Sequence, residues 1–367
     1  MAVRPDLPAA IATALERCDR PRLVFDLARI DANLAAIADA AARAGATALF
    51  AAKSFPHPAV RRLAAARLAG FDVASPAEVA EAAEVAAGGV LSVADPSGRA
   101  VAAAAGWPGR LIASCDTVAQ VRAAPPGAEI AIRISASLAG RDPAVGAVLD
   151  GSGHRRSRFG LDAGPHLAEA IGELARAAHP RRVGLHVHHG AVAATASERF
   201  LATAHAVIAA AERAGVAPRF LNLGGAWHGI AGLAGALTAI RAALPALELI
   251  IEPGRRAAEG AGFACGRIAE VRELADRALC VLELSRSCHL RWSQPELVAR
   301  PPRTGAGRAT LFAGPTCYED DVIGEWTVDP AHIPAGGRAV LRNITGYAVA
   351  WNTGFGGVAP ADVVMIG

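Results

Sequence analysis

The sequence predicts an α/β fold, a (β/α)8 TIM barrel followed by an antiparallel β-barrel-like C-terminal domain. Two observations predict this fold class. Between residues 46 and 255, eight short apolar runs alternate with Ala-rich amphipathic stretches, which is the strand-then-helix order of a parallel barrel. From about residue 262 onward, shorter apolar runs alternate with Pro- and Gly-rich turns, a pattern typical of antiparallel sheets.

The eight predicted barrel strands are spaced so that a helix fits between neighbours. They cover residues 46–54, 70–75, 89–95, 110–115, 129–135, 182–190, 219–225 and 247–255. A further helix is predicted before the first strand, because Ile30, Leu34 and Ile37 recur at helical spacing. The sequence therefore contains the full set of elements for one barrel.

The domain boundaries follow from the same change of pattern. We expect the barrel at residues 28–262, and a β domain that combines residues 1–27 with residues 263–367. A Gly-rich, charged loop at 136–160 follows the fifth predicted strand. Loops of this length without regular structure are typically functional or mobile.

Composition and charge exclude several classes of protein. No run approaches the roughly 18 consecutive apolar residues of a spanning helix, and charged residues interrupt the first twenty positions as no signal peptide allows. The net charge of +3 comes from scattered arginines, which does not favour nucleic-acid binding. Six cysteines without a CxxC pair indicate a reducing compartment. We therefore expect a cytoplasmic protein that binds neither membranes nor nucleic acids.

One lysine stands out by its position. Of the 37 Lys and Arg residues, only Lys53 is a lysine, and coding bias towards arginine explains the rest. Lys53 ends the first predicted strand, at the face of the barrel where active sites lie. Lysine, unlike arginine, can lose its proton and form a Schiff base. This position favours a nucleophile over a surface lysine.

Two later loops suggest what the lysine binds. The loops after the seventh and eighth strands of such barrels often hold a phosphate, and here they contain Gly224 with Gly225 and Gly254 with Arg255. A phosphate site opposite a lone lysine indicates a phosphorylated aldehyde, and pyridoxal 5'-phosphate (PLP) is the obvious one. Glu252 could then pair with the pyridine nitrogen and keep it protonated.

Histidines at the sixth predicted strand allow two interpretations. His186 and His188 alternate along the strand and share a face, whereas His189 points the other way. An HxH pair can bind metal, as in metal-dependent barrel hydrolases. The seventh and eighth strands supply no clear further ligands, so we favour an imidazole stacked on a flat cofactor ring and expect no metal.

The chain resembles the fold-type III, alanine-racemase-like PLP decarboxylases of diaminopimelate, ornithine and carboxynorspermidine. The resemblance runs from about residue 22 to the C-terminus through VFDL, FAAKS, GFDVASPAEV, IRIS, SRFG, GLHVHHG, LNLGG, EPGR, GPTCYEDD and TGYAVAWNTGFGG. GPTC followed by DVIGEW is most similar to carboxynorspermidine decarboxylase. The resemblance implies α-decarboxylation of an amino acid, with a diamino acid or a carboxylated polyamine as the expected substrate.

The resemblance also implies roles for single residues. Lys53 would carry the cofactor as a Schiff base, His188 would stack on its ring, and Cys317 from a partner subunit would manage protonation after CO2 leaves. The predicted cofactor-binding residues are Lys53, Asp72, Arg133, His188, Gly224, Gly225, Glu252, Gly254, Arg255 and Tyr347. The Cys317 assignment implies a head-to-tail homodimer with shared active sites.

Several positions depart from the family pattern. Ala191 replaces a serine and Ala226 replaces a third glycine near the phosphate site. Tyr318 stands where ornithine and diaminopimelate enzymes carry an acidic residue that recognises the distal amine. Tyr318, Asp321 and Glu283 are therefore the candidate substrate-binding residues, and the identity of the substrate stays open.

Three alternatives remain open from the sequence. A racemase of the same fold would use Tyr347 as a second base, although GPTC and EPGR favour a decarboxylase. A metal-dependent barrel hydrolase would use the HxH pair. A non-catalytic PLP-binding protein would bind the cofactor without turnover, but such proteins are usually a lone barrel.

Overall fold

The structure is a computed structural model that describes residues 7–16, 18–135, 159–161, 165–176, 181–188, 196–299 and 305–367. The barrel strands are β2 Ala46–Ala51, β3 Gly70–Val73, β4 Val90–Val93, β5 Leu111–Cys115, β6 Glu129–Arg133, β7 Val183–His186, β8 Phe220–Asn222 and β9 Glu248–Ile251. The other strands are β1 Arg22–Asp26, β10 Gly262–Glu273, β11 Ala278–Leu282, β12 Glu296–Leu297, β13 Arg308–Ala313, β14 Val322–Val328, β15 Arg338–Arg342 and β16 Asp362–Ile366.

Helices follow most of the barrel strands, as the alternating pattern predicts. They are α1 Ala9–Glu16, α2 Leu27–Arg43, α3 Pro58–Arg67, α4 Pro76–Ala86, α5 Arg99–Ala103, α6 Val118–Ala123, α7 Pro165–Arg176, α8 Ala196–Arg213, α9 Leu233–Ala243, α10 Arg286–His289 and α11 Tyr347–Ala350. None of the helices in these described ranges is both long and apolar enough to cross a membrane.

Two compact units make up the chain. The barrel unit contains Leu34–Lys53 and Arg61–Arg256, and the sheet unit contains Met1–Asn33, Ser54–Val60 and Ala257–Gly367. In the barrel unit, β2 to β9 pair in parallel and β9 pairs with β2, which closes the barrel. The predicted fold class is confirmed, and the eight predicted runs correspond in order to β2–β9.

Local sequence determines where helix α4 begins. The Ser75 hydroxyl accepts a hydrogen bond from the Glu78 backbone N–H at 3.2 Å, and Glu78 Oε2 accepts one from the Ala74 N–H at 2.7 Å. Pro76 occupies the first helical position, where its missing N–H costs nothing. This capping box ends β3 and starts α4 within three residues, so the side chain of Asp72 stays at the end of its strand.

Apolar side chains fill the barrel interior. Leu49, Ile112, Ala131, Phe220 and Ile250 form one fully buried cluster contributed by five strands. Strand β7 needs a glycine at position 184, because a Cβ atom added at Gly184 would lie only 2.4 Å from the Phe220 ring of β8. The interior is therefore a packed core, as expected of such barrels.

Four charged residues form a closed ring at the amino ends of the barrel strands, here called the charge ring. Arg110 donates to Glu129 at 2.8 Å and to Glu248 at 2.6 Å. Arg182 contacts Glu129 at 3.2 Å and Glu248 at 2.8 Å. Both guanidinium groups lie over the Phe220 ring, 5.7 and 5.5 Å from its centroid. The charge ring covers this end of the core, so the opposite end remains for a functional site.

The sheet unit is mostly antiparallel. Its pairing order is β12-β15-β10-β11-β13-β14, and β1 pairs with β10 and with β16. Two pairs are parallel, β1 with β16 and β11 with β13. The second departs from the expected antiparallel order because a long connection that contains α10 and β12 separates its strands, and parallel neighbours require such a crossover.

Helix α1 covers one face of this sheet. Ile11 and Leu15 pack with Val24, Phe263 and other buried residues of β1, β10 and β15. The predicted helix with Ile30, Leu34 and Ile37 is α2, and all three side chains are fully buried. The predicted loop at 136–160 lies outside the described residues except for Phe159 and Gly160.

Candidate active site

Lys53 lies at the carboxyl end of the barrel strands, paired with a buried acid. It occupies a 3-10 turn, Ala52–Ser54, immediately after β2, which ends at Ala51, two residues before Lys53. Its Nζ atom lies 2.7 Å from Asp72 Oδ2, and the Asp72 side chain is fully buried in β3. Burial raises the pKa of Asp72 to about 7, with Glu252 adding to the rise and Lys53 opposing it. A carboxyl group with this pKa can exchange a proton with the amine near neutral pH.

Glu252 lies directly after β9 and is almost fully buried. Its Oε1 atom accepts hydrogen bonds from Asn222 Nδ2 at 2.5 Å and from Ser92 Oγ at 3.3 Å. These donors come from β8 and β4, on different sides of the barrel. The carboxylate is therefore held in one orientation by neutral partners.

A tight turn follows β8 at the predicted phosphate loop. Gly224 has φ +64°, its N–H donates to Asn222 Oδ1 at 2.9 Å, and its carbonyl accepts from the Glu252 N–H at 2.9 Å. Trp227 Nε1 donates to the same carbonyl at 2.7 Å. The N–H and the carbonyl of Gly224 are therefore both hydrogen-bonded, and the turn is fixed against the Glu252 backbone.

The glycines also place the turn against His188. A Cβ atom added at Gly224 would lie 2.8 Å from His188 Cδ2, and one added at Gly225 would lie 3.2 Å from His188 Nε2. Ala226, which replaces a third glycine, has φ 69°, a left-handed conformation that costs an alanine energy. The turn backbone lies so close to the His188 imidazole that only glycine fits at positions 224 and 225.

The second predicted phosphate loop is hydrogen-bonded to the first. Arg255 Nη1 lies 3.2 Å from His228 Nε2, so the imidazole nitrogen accepts. Arg256 Nη1 donates to the carbonyls of Trp227 and Ile230 at 3.1 and 2.8 Å. Burial, with the charges of both arginines, lowers the pKa of His228. Gly254 precedes these arginines in the same loop, so the two loops form one basic, glycine-containing surface.

Two histidines lie at the carboxyl end of β7, and His188 is two residues beyond the strand. His186 ends the strand, its Nδ1 lies 2.6 Å from Ser114 Oγ, and its Nε2 lies 3.9 Å from Glu252 Oε2. Burial lowers the pKa of His188 to about 3 and that of His186 well below its usual range. Both imidazoles are therefore neutral at physiological pH. Across the described ranges, no group of three His, Cys, Asp or Glu side chains is arranged to hold a metal ion, and His189 lies outside them.

Arg133 ends β6 and contacts a buried acid and an aromatic ring. Its Nε lies 3.8 Å from Asp116 Oδ1, and its guanidinium lies 4.5 Å from the centroid of the Phe159 ring. The Gly160 N–H donates to the same Asp116 oxygen at 2.6 Å. Arg133 and Asp116 thus hold the segment Phe159–Gly160 at the end of β6. The positive charge of Arg133 also lowers the pKa of Asp72.

Asp321, a candidate substrate residue, is buried inside a turn of the sheet unit. Its carboxylate accepts from Ser285 Oγ at 2.9 and 3.0 Å, from the Ser287 N–H at 3.1 Å and from Thr316 Oγ1 at 2.8 Å. With only 2% of its surface exposed, the side chain organises the turn that carries Cys317 and Tyr318.

The other predicted residues of the sheet unit are more accessible. Cys317 is exposed, and Tyr318 is 51% exposed with its ring edge-on to Phe355 at 6.2 Å. Glu283 is half-buried directly after β11. Tyr347 begins α11, and its ring lies 4.8 Å from that of Trp292. These residues form the part of the predicted set that belongs to the sheet unit.

Sequence reasoning missed four polar residues of the barrel unit: Ser92, Ser114, Asn222 and His228. Ser92, Ser114 and Asn222 are single polar residues inside apolar strands, and this interruption is a usable signal because buried polar groups need partners. The sequence signal for His228 was weaker, because only its position just after the glycine turn points to the site.

The barrel-unit residues fit PLP. A lysine amine, a fixed carboxylate and a basic, glycine-containing surface match the aldehyde, the pyridine nitrogen and the phosphate of this cofactor. Asp72 Oδ1 and His186 Nε2 are buried without a hydrogen-bond partner among the described residues. The turn at Gly224 and Gly225 packs directly against His188. The donor set therefore agrees with a bound phosphopyridoxal group.

Fold and site together define a PLP-dependent enzyme built on a parallel barrel. The model of the pyridoxal-dependent decarboxylase family, for its pyridoxal binding domain, matches residues 27–259. The chain belongs to this family, and it is accordingly a PLP-dependent carboxy-lyase.

Solved structures share the fold over nearly the whole chain. Arginine decarboxylase from Paramecium bursaria Chlorella virus, bound to agmatine, is 16% identical, with a TM-score of 0.78 and coverage of 97% of this chain and 100% of the other. Lysine/ornithine decarboxylase from Vibrio vulnificus, complexed with cadaverine, is 19% identical, with a TM-score of 0.76 and coverage of 99% of both. Carboxynorspermidine decarboxylase from Campylobacter jejuni, complexed with norspermidine, is 17% identical, with a TM-score of 0.72 and coverage of 95% and 94%. No curated protein sequence matches the chain.

Proposed function

We propose that this enzyme removes the α-carboxylate of a diamino acid or a carboxylated polyamine. The observation that carries the proposal is the arrangement at the carboxyl ends of the barrel strands, where Lys53 is paired with Asp72 and Glu252 is fixed beside the glycine turn. The structurally similar decarboxylases named above are described with agmatine, cadaverine and norspermidine. All three are amines with a cationic group far from the reacting carbon, which supports a substrate of this kind.

When bound, PLP supplies an aldehyde that condenses with amines and a pyridinium ring that stabilises the electron pair left by departing CO2. In our proposal Lys53 would hold the cofactor through its amine, and Asp72 Oδ2 would take the proton that the ammonium must lose first. The pKa of about 7 at Asp72 suits this exchange at neutral pH. Glu252 pairs with the pyridine nitrogen, where a carboxylate favours the protonated ring.

Other residues bind and orient. Gly225, Gly254 and Arg255 would hold the phosphate, together with Tyr347 of the sheet unit. Gly224, whose own N–H and carbonyl are occupied, would shape the turn that approaches it. His188 offers a neutral imidazole face to the ring, since its low pKa keeps it uncharged. Arg133 braces the lysine end through its charge, and Cys317 or Lys53 returns a proton to the α-carbon after CO2 leaves.

Substrate selection is assigned to the turn that carries Tyr318. Its phenol is hydrogen-bonded to Asp320, and this bond raises the pKa of Tyr318. We propose that Tyr318, with Asp321 and Glu283 of the same unit, replaces the single acidic residue of the ornithine and diaminopimelate enzymes. Asp321 would act by holding the turn, because its carboxylate already accepts hydrogen bonds from four donor groups.

The central experiment uses the single lysine. The purified enzyme should absorb near roughly 420 nm, and borohydride reduction should attach the cofactor to the peptide that contains Lys53. Lys53→Ala should lose both the band and the turnover. Lys53→Arg is the matched control, because it keeps a cation beside Asp72 but cannot form a Schiff base. Full activity in either variant would overturn the proposal.

Substrate class and reaction type need a second assay. Diamino acids and carboxylated polyamines should release CO2, and formation of the D-isomer without CO2 would favour a racemase instead. Stoichiometric zinc with no chromophore would favour a hydrolase. Cofactor binding without turnover of any substrate would favour a non-catalytic PLP-binding protein.

We also propose a head-to-tail homodimer with shared sites in the cytoplasm. Five of the six cysteines are buried and all six are free, which supports a reducing compartment. Where Cys317 is the proton source, Cys317→Ala and Lys53→Ala are each inactive alone. Mixing the two subunits should then restore about a quarter of the wild-type activity, since half of the randomly formed dimers keep one intact site. No recovery after subunit exchange would contradict shared sites.

A further inference from the structure

The Asn222 side chain connects the two ends of the candidate cofactor site. It is fully buried at the end of β8. Its Nδ2 lies 2.5 Å from Glu252 Oε1, and its Oδ1 accepts the Gly224 N–H at 2.9 Å. One amide group therefore contacts both the carboxylate assigned to the pyridine nitrogen and the turn assigned to the phosphate.

Chemistry determines which way this amide points. A backbone N–H can only donate, so the atom facing Gly224 must be the oxygen. An ionised carboxylate can only accept, so the atom facing Glu252 must be the NH2 group. Asparagine satisfies both contacts at once, whereas an aspartate at this position would place two carboxylate oxygens 2.5 Å apart.

The neighbours of Asn222 leave no other donor of equal quality for Glu252 among the residues that the structure describes. Ser92 Oγ is more distant at 3.3 Å, and His186 Nε2 lies 3.9 Å from the other carboxylate oxygen. The ionisable groups that interact with Glu252 are His186, 3.9 Å away, and Asp72, whose pKa the Glu252 charge raises. Among these, burial lowers the pKa of His186 well below its usual range, so its ring adds no positive charge.

We propose that Asn222 is a positioning residue that holds the Glu252 carboxylate in register with the glycine turn. The inference rests on the proposed function for its catalytic meaning, but the hydrogen bonds of Asn222 to Glu252 and Gly224 are made within the protein itself. Neither an apolar side chain nor an acid at position 222 could make both contacts. An apolar residue would lose both contacts, and an acid would force one proton to be shared between two carboxyl groups.

The test compares four proteins: wild type, Asn222→Asp, Glu252→Gln and the double variant. The carboxylate introduced by Asn222→Asp still accepts the Gly224 N–H but repels Glu252, so this single variant should unfold at a lower temperature without cofactor. In the double variant the new amide at position 252 can donate its NH2 to the new carboxylate at position 222, which reverses the hydrogen bond. We expect the double variant to recover most of the lost thermal stability while remaining inactive, because Glu252 is gone.

The single variant Glu252→Gln is the folding control. Glu252→Gln alone should fold, since its amide oxygen can still accept from Asn222. If it folds while the double variant is as unstable as Asn222→Asp or worse, the inference is overturned. Rescue by the double variant supports it even if Asn222→Asp alone does not fold.

A pH profile of the loaded enzyme separates positioning from general structural damage. In Asn222→Asp the shared proton should depress kcat/KM by about tenfold, or about 1.4 kcal/mol, at neutral pH, with recovery as the pH rises and the pair loses its proton. An equal loss at every pH would contradict the inference. Absence of any chromophore in wild type would instead overturn the proposed function, and the stability rescue would still decide the role of Asn222.

Discussion

Replacing Asp72 with asparagine should change how the stability of the cofactor-free protein depends on pH. Asp72 is fully buried, and its pKa is raised from 3.8 to about 7, mainly by burial. A carboxyl group whose pKa is higher in the folded state stabilises that state below the unfolded pKa. This contribution is lost as the pH rises through the folded value.

The magnitude follows from the size of the shift. Each pH unit between the two pKa values changes the free energy of unfolding by about 1.4 kcal/mol. Over roughly three units, the wild type should lose about 4 kcal/mol relative to Asp72→Asn. The loss should begin near pH 4 and level off above about pH 7, where Asp72 is ionised in both states.

Urea unfolding of both cofactor-free proteins across this pH range measures the difference, with other titrating groups cancelling in the subtraction. Lys53→Met is an informative companion, because Lys53 lowers the pKa of Asp72. Its removal should raise that pKa and extend the pH-dependent loss to higher pH. Parallel stability profiles for wild type and Asp72→Asn would refute the reasoning.

Three further substitutions test separate features of the fold. Ala226→Gly should raise the free energy of unfolding by about 0.5–1 kcal/mol, because relief of the left-handed strain exceeds the entropy that glycine adds to the unfolded chain; a loss of stability in urea would contradict this. Arg110→Met should cost about 2–4 kcal/mol in the same measurement, since Glu129 and Glu248 lose a partly buried partner, and no loss would show that the charge ring is dispensable. Asp321→Ala should cost about 2–4 kcal/mol, because buried donors lose their acceptor; an unchanged melting temperature would rule out its role in the turn.

Much of the fold could be predicted because barrel strands have a strong signal. Apolar runs such as ALFA and LELII, each followed by an amphipathic stretch, correspond to strands in the structure. The ends of the strands were less predictable, since Lys53 lies in a turn after β2 and His188 lies two residues after β7. Side chains at these ends are placed by turns and long-range contacts, which strand periodicity does not report.

The site was predictable in its charged members and not in its neutral ones. Lys53, Asp72 and Glu252 stood out through position or motif, and the structure pairs the first two directly. Asn222 and Ser114 were missed because a neutral polar residue in a strand has no characteristic spacing. Their partners come from strands distant in sequence, and only the closed barrel brings those strands together.

The strand pairing of the sheet unit determines the order in which the two units can fold during synthesis. Strand β1 is synthesised within the first 26 residues, yet it pairs with β10 and with β16, which begins at Asp362. During translation the barrel strands, complete by Ile251, can assemble while β1 still lacks both neighbours. The nascent chain must therefore protect an unpaired apolar strand for most of its synthesis, and loss of the last few residues would leave that strand with an open edge.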